Sequence, residues 1–228
     1  MNEKGKAWGA KSLGVEGSAR IVRHHPSELM LRALFSSRYS GLAPEITGGT
    51  RVLDVGAMYL NNLVPFADRG CECHGIEINE DMAAISRQAA KDQGIDAEIR
   101  VGSNRSIPHE DARFDILLSI NVIHYEDDAK GLRAAMAEYA RVLAPGGRCF
   151  VVSAGPGHYL RRSATRLGPN RYEIAYEDFR KGQTMAYFES EDQLGEMMRE
   201  VFCETVTGRM TERHAKADVD FFYALGAR

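Results

Sequence analysis

From about residue 50 the apolar positions alternate between short runs and helical stripes. Residues 52–55 form a β-branched run, too short for a helix and bounded by Gly56. Residues 73–78, 97–101, 114–120 and 149–153 repeat that pattern. The 114–120 run is almost wholly apolar, which suits a strand buried on both faces. Between the runs the pattern predicts a helix near 61–68 and a second over 80–93. The second has Met82, Ile85 and Ala89 on one face and Gly94 as its stop. A long helix near 127–143 ends at Ala144-Pro145-Gly146-Gly147. Five strands joined by helical crossovers predict a parallel sheet, wound right-handedly and covered on both faces.

The rhythm then changes. Ser190 and Gln193 have the spacing of a capping box and open a helix to about residue 201. Runs at 203–210 and 219–225 follow with a short polar stretch and no helix between them, so they should pair as an antiparallel hairpin. The expected fold class is α/β: a three-layer sandwich whose seven-stranded, mostly parallel sheet ends in that hairpin. Residues 50–228 make the domain. Residues 1–49 make an N-terminal arm with a helix near 26–39, and residues 154–188 a connection too long for an ordinary loop, of a kind usually functional or mobile.

Composition narrows the class. A length of 228 residues suits one domain with a small lid. The apolar share of 44% and charged share of 27% are those of a soluble globule. A net charge of −3 argues against a dedicated nucleic-acid binder. No apolar run is long enough to span a membrane, and the first residues have no apolar signal core. Cys71, Cys73, Cys149 and Cys203 form no C-x-x-C pair, so the expectation is unreactive thiols in a reducing cytoplasm and no metal.

The chemistry gathers where the strands end, because ligands of open α/β sheets bind beyond the carboxyl ends of the strands. VLDVG at 52–56 opens like a nucleotide-binding turn, but Met58 and Leu60 stand where two further glycines would be expected. GIEIN closes the second strand, and RFDILLSINVIHY spans the fourth. RVLAPGGRCFVV and YFESEDQLGEMM follow. In this order and spacing the motifs resemble those of the class I S-adenosylmethionine-dependent methyltransferases, over roughly residues 30–153 and 188–228. The resemblance implies a Rossmann-like cytoplasmic enzyme that converts S-adenosylmethionine to S-adenosylhomocysteine while methylating oxygen or nitrogen of a small-molecule acceptor. It also implies a cofactor site at Asp54, Gly56, Ala57, Met58, Asn61, Glu77, Ile78, Ser103, Asn104 and Asn121.

The residues support parts of this independently. Glu77 terminates an apolar strand 23 residues after Asp54, where a carboxylate can accept from both hydroxyls of a ribose. It would equally serve in a strand-end ion pair. Ile78 suits either an adenine face or the core. Asn104 can accept from an adenine amine through its oxygen, and Gly102-Ser103-Asn104 is also good turn chemistry. Asn121 matches the position next to the methionine part of the cofactor. Asn61 and Asn62 can take positive φ or cap the following helix.

S-adenosylmethionine carries no phosphates, so it tolerates the loss of two glycines better than a dinucleotide does. Base candidates facing the crevice are His124 and Tyr125 after the fourth strand, and His158 and Tyr159 in the insertion. Arg161, Arg162, Arg166, Arg171, Arg180 and Lys181 make the insertion basic, either to grip an anionic acceptor or to form a solvated face balanced by Glu173, Glu177 and Asp178. Trp8, His24 and His25 of the arm can close as a lid. Two alternatives stay open: a non-catalytic binding protein of this fold, and a nicotinamide-dependent oxidoreductase.

Overall fold

The computed structural model describes Trp8, Gly9 and residues 25–228. His24 and most of the expected arm lie outside the described residues.

Strand β1 (Arg51–Val55) is flanked by β2 (Glu72–Glu77) and β4 (Phe114–Ile120), and β3 (Ala97–Val101) forms the edge beyond β2. On the other side β5 (Leu143–Ala154) joins β4, and β10 (Asp218–Ala227) and β9 (Glu204–Arg213) complete the order β3-β2-β1-β4-β5-β10-β9. The first five strands pair in parallel. β10 runs antiparallel to both β5 and β9. The chain order reverses between β1 and β4, and there the strand ends open a crevice.

Side-chain alternation builds the three layers. Leu53, Val55, Leu117 and Val151 face one core with α5 (Ala129–Val142) and α7 (Glu191–Arg199). Val52, Ile116, Leu118, Phe150 and Val152 face the other, with α1 (Glu28–Phe35), α3 (Val64–Ala67) and α4 (Glu80–Gln93). Local capping sets the helix starts. Asn79 accepts from Met82 N at 2.9 Å, Asp128 from Gly131 N at 2.8 Å and Ser190 from Gln193 N at 3.1 Å. Gly94 ends α4 in the left-handed conformation.

Two expectations are corrected. The helix expected near 26–39 is interrupted at Ser36, whose extended backbone separates α1 from the single turn α2 (Ser37–Ser40). The Pro-Gly-Gly break lies inside β5, where Gly146 takes φ +79° and Gly146 N donates to Arg228 O at 2.8 Å. The long connection is a folded unit: a helical turn α6 (Tyr159–Arg162), then β6 (Thr165–Gly168), β7 (Arg171–Glu173) and β8 (Thr184–Ala186) in an antiparallel sheet. It closes over its own core of Tyr172, Ile174, Met185 and Tyr187. Cys71, Cys73 and Cys149 are buried, Cys203 is exposed, and all four are free thiols. Among the described residues no helix is long and apolar enough to cross a membrane.

Candidate functional site

A cavity of about 480 Å³ lies beyond the carboxyl ends of β1, β2, β3 and β4. That volume is within the range of small-molecule sites. Gly56, Ala57, Met58, Asn61, Glu77, Ile78, Ser103, Asn104 and Asn121 line it. Asp54 does not; it is buried beneath the loop.

The loop after β1 explains the missing glycines. Gly56 takes φ +72°, and a Cβ there would meet Val122 Cγ2 at 2.7 Å, so only glycine fits between this loop and the one after β4. Met58 and Leu60 take φ +50° and +59°. The two positions that lost glycine have kept its conformation, at a cost of about 1–2 kcal/mol each for a side chain in the left-handed region. Leu60 is wholly buried among Val52, Leu63 and Phe66, while Met58 borders the cavity. The expected positive φ at Asn61 and Asn62 is therefore not found. Nor does either cap α3, which starts at Leu63 without a side-chain cap. Asn62 instead accepts from Ser27 N at 3.0 Å and ties α1 to the loop.

Glu77 ends β2 with 4% exposure. Its carboxylate accepts from Met58 N and, at 3.0 Å, from Ser86 Oγ, so the β1 loop and α4 together aim it. Burial pushes its pKa up to about 7, against the opposing pull of those hydrogen bonds. Asp54 is pushed up to about 8, first by burial and then by the Glu77 charge, while a hydrogen bond from Asn62 opposes. Two acids on neighbouring strands thus share a dry environment.

The loops after β3 and β4 are cross-linked. Asn104 Oδ1, expected to receive an adenine amine, instead accepts from the Tyr139 hydroxyl at 2.7 Å. Asn104 Nδ2 donates to Glu126 Oε1 at 3.1 Å, and Glu126 pairs with Arg105 at 2.9 Å. Ser103 bridges to Ser106 through the backbone. Asn121 takes φ +60°, donates its N–H to Val152 O at 3.0 Å, and leaves a buried Oδ1 without a partner among the described residues. Arg105, Glu126 and Met82 line the cavity but escaped the sequence reading. Their position in the first residues after β2, β3 and β4 was the available signal.

Of the base candidates, only Tyr125 lines the cavity. Burial raises its pKa, against the nearby Arg180. His124 turns away: Nδ1 lies 3.4 Å from Ser153 Oγ and its ring packs at 5.4 Å from Tyr187. His158 caps α6, accepting from Leu160 N at 3.3 Å. Burial first, then the Arg180 charge, lower its pKa to about 4. Tyr159 packs on the His158 and Tyr176 rings, outside the cavity lining.

Five of the insertion's six cations are engaged by groups of the protein, and Arg171 is exposed. Arg161 donates to Phe188 O at 2.6 Å, Arg162 pairs with Asp218 at 2.8 Å, Arg166 with Glu189 at 3.1 Å, Arg180 with Asp178, and Lys181 with Glu177. Among the described residues no group of three or more His, Cys, Asp or Glu is placed to hold a metal. From the arm, Trp8 and His25 reach the cavity.

Residues 53–151 match the family model described as a methyltransferase domain. An uncharacterized methyltransferase of Bacillus subtilis, YcgJ, is 31% identical over 103 residues, 45% of this chain and 40% of that one. Norajmaline N-methyltransferase of Rauvolfia serpentina is 30% identical over 127 residues, 54% of this chain and 42% of that one. The matched stretch thus spans less than half the length of either curated relative. The structure of Burkholderia thailandensis 1,6-didemethyltoxoflavin-N1-methyltransferase, with 1,6-didemethyltoxoflavin and S-adenosylhomocysteine bound, superposes with a TM-score of 0.59 at 16% identity. The match covers 79% of this chain and 71% of that one.

Proposed function

We propose that this member of the class I S-adenosylmethionine-dependent methyltransferase family binds S-adenosylmethionine in the cavity and methylates a small-molecule acceptor. The observation that carries the reading is Glu77, a buried carboxylate held by Met58 N and Ser86 Oγ at a cavity lined by the loops after β1 to β4. The fit is chemical as well as spatial. A carboxylate suits a ribose diol, and the buried Asn121 Oδ1, unpartnered among the described residues, asks for a donor. Met58 and the buried carboxylates make a poor cradle for a pyrophosphate.

When bound, S-adenosylmethionine supplies a sulfonium methyl, and the sulfur leaves as the neutral thioether of S-adenosylhomocysteine. Glu77 orients the ribose, and the linked loops after β3 and β4 shape the wall around the base. In-line transfer requires the cavity walls to align the acceptor with the methyl and to exclude water. Tyr125 borders the cavity with its proton held by burial, and His158 and His124 stand outside the lining. Such a site favours a nucleophile that needs no general base, an amine or ring nitrogen over a hydroxyl. The N-methyltransferases named above support that preference.

Calorimetry with S-adenosylhomocysteine tests the reading. The expected outcome is saturable binding that Glu77→Ala weakens by at least about tenfold, since hydrogen bonds to a charged group contribute about 1.5–3 kcal/mol. Binding of NADH with no response to S-adenosylhomocysteine would establish the oxidoreductase alternative instead.

A further inference from the structure

Resting on the methyl-transfer reading above, we infer that the acceptor end of the cavity is an aromatic wall of Trp8 and Tyr125, backed by Phe179, which takes a planar heteroaromatic acceptor. Trp8 and Tyr125 both line the cavity, with ring centroids 5.3 Å apart and planes at 80°. Phe179, which is not part of the lining, packs on the indole at 4.8 Å and 77°. These are edge-to-face contacts, the arrangement that ring quadrupoles favour. Three separate segments contribute one ring each: the N-terminal arm, the turn after β4 and the insertion.

The wall is pinned at both ends. At the cofactor end, Asn79 Nδ2 donates to Trp8 O at 3.1 Å while Asn79 also caps α4, two residues past Glu77. At the far end, the Arg180 guanidinium lies 5.3 Å from the Phe179 centroid and donates to the Tyr125 hydroxyl at 3.5 Å. Asp178 neutralises that cation, with Nε to Oδ2 at 3.0 Å. Arg105, the cation bordering the cavity, is paired with Glu126 at 2.9 Å. These guanidiniums hold the chain's own groups. An anionic acceptor would therefore gain little here and would face Glu77 and Glu126 across the same cavity. What the wall presents is ring surface in fixed relative orientation. A planar π ligand gains from that surface at little conformational cost, whereas a saturated ring gains only contact area.

Trp8 is the chain's single tryptophan, so the full-length protein gives one indole N–H signal in nitrogen-15 NMR. The protein is saturated with S-adenosylhomocysteine, and isoquinoline or 2-decalone, an uncharged saturated bicycle of similar size, is then titrated at pH 8. Isoquinoline is expected to shift the Trp8 signal saturably and to bind at least about tenfold more tightly than 2-decalone. Phe179→Ala is expected to weaken isoquinoline at least about fivefold and to leave affinity for S-adenosylhomocysteine within about twofold, because Phe179 lies outside the cavity lining. If S-adenosylhomocysteine binds but isoquinoline leaves Trp8 unmoved, or binds no better than 2-decalone, the aromatic wall is overturned and the methyl-transfer reading stands. An equal loss of both ligands in Phe179→Ala also overturns it. If S-adenosylhomocysteine itself fails to bind, both fall together.

Discussion

Met58 and Leu60 show how one backbone requirement can be met by different side chains for different reasons. Both sit in the left-handed region, where glycine would relieve about 1–2 kcal/mol but would cost about 0.5–1 kcal/mol in unfolded-chain entropy. At Met58 these nearly cancel, so Met58→Gly should leave the unfolding free energy within about 1 kcal/mol of the parent in urea titrations. Leu60 is wholly buried, and removing a buried leucine costs about 2.7–5 kcal/mol, so Leu60→Gly should lose at least about 2 kcal/mol. Equal losses at the two positions would show that the loop, not the core, sets the cost. Asp54 and Glu77 give a second prediction at this scale. Burial raises both acids, to about 8 and about 7, so between pH 4 and 8 the folded state holds protons that the unfolded chain has released. Unfolding free energy therefore falls as pH rises through that window, and Glu77→Gln should flatten the slope. A ribose diol donating to Glu77 favours the ionised form. S-adenosylhomocysteine should then bind more tightly at pH 8 than at pH 6, releasing a fraction of a proton that calorimetry in buffers of different ionisation enthalpy detects.

At the scale of elements, legibility followed the range of the determining interaction. β1, β4 and β5 were readable because both faces are buried, which leaves Val52, Leu53, Leu117 and Leu118 no polar alternation to confuse. Helix starts were readable because Asn79, Asp128 and Ser190 act within three residues. The insertion's sheet was not: β7 buries Tyr172 between exposed Arg171 and Glu173, and β6 leaves Arg166 and Leu167 in solvent, so neither announces a core. Cavity residues could be placed by their loops, but their commitments could not. Asn104 is engaged by Tyr139, 35 residues away, and His158 by its role at the start of a four-residue helix. Close packing of elements was equally hidden. A Cβ on Gly75 of β2 would lie 2.8 Å from both Ala57 Cβ and Ile99 Cδ1, so β2 is bare there to let the β1 loop and β3 approach.

For the whole molecule, the question is how an insertion rooted at the end of β5 stays aligned with a cavity at β1 to β4. The link at its root is Asp220 on β10, which is 2% exposed. It accepts from Gly157 N at 2.6 Å and from Arg209 Nε of β9 at 2.7 Å, while Gly155 and Gly157 leave no room for a side chain against it. The hairpin thus grips the root of the segment that carries Phe179 and Arg180. Asp220→Asn keeps the volume but removes the charge that strengthens both bonds. With Arg209 half exposed, the loss should be about 1–2 kcal/mol rather than the full value of a buried pair. Because the grip is at the root, the effect should be regional. Amide hydrogen exchange should quicken over residues 155–188 and stay unchanged in β1, β2 and β4. Affinity for S-adenosylhomocysteine should hold while affinity for isoquinoline falls. A uniform rise in exchange would mean that Asp220 stabilises the sheet as a whole and does not serve to position the insertion.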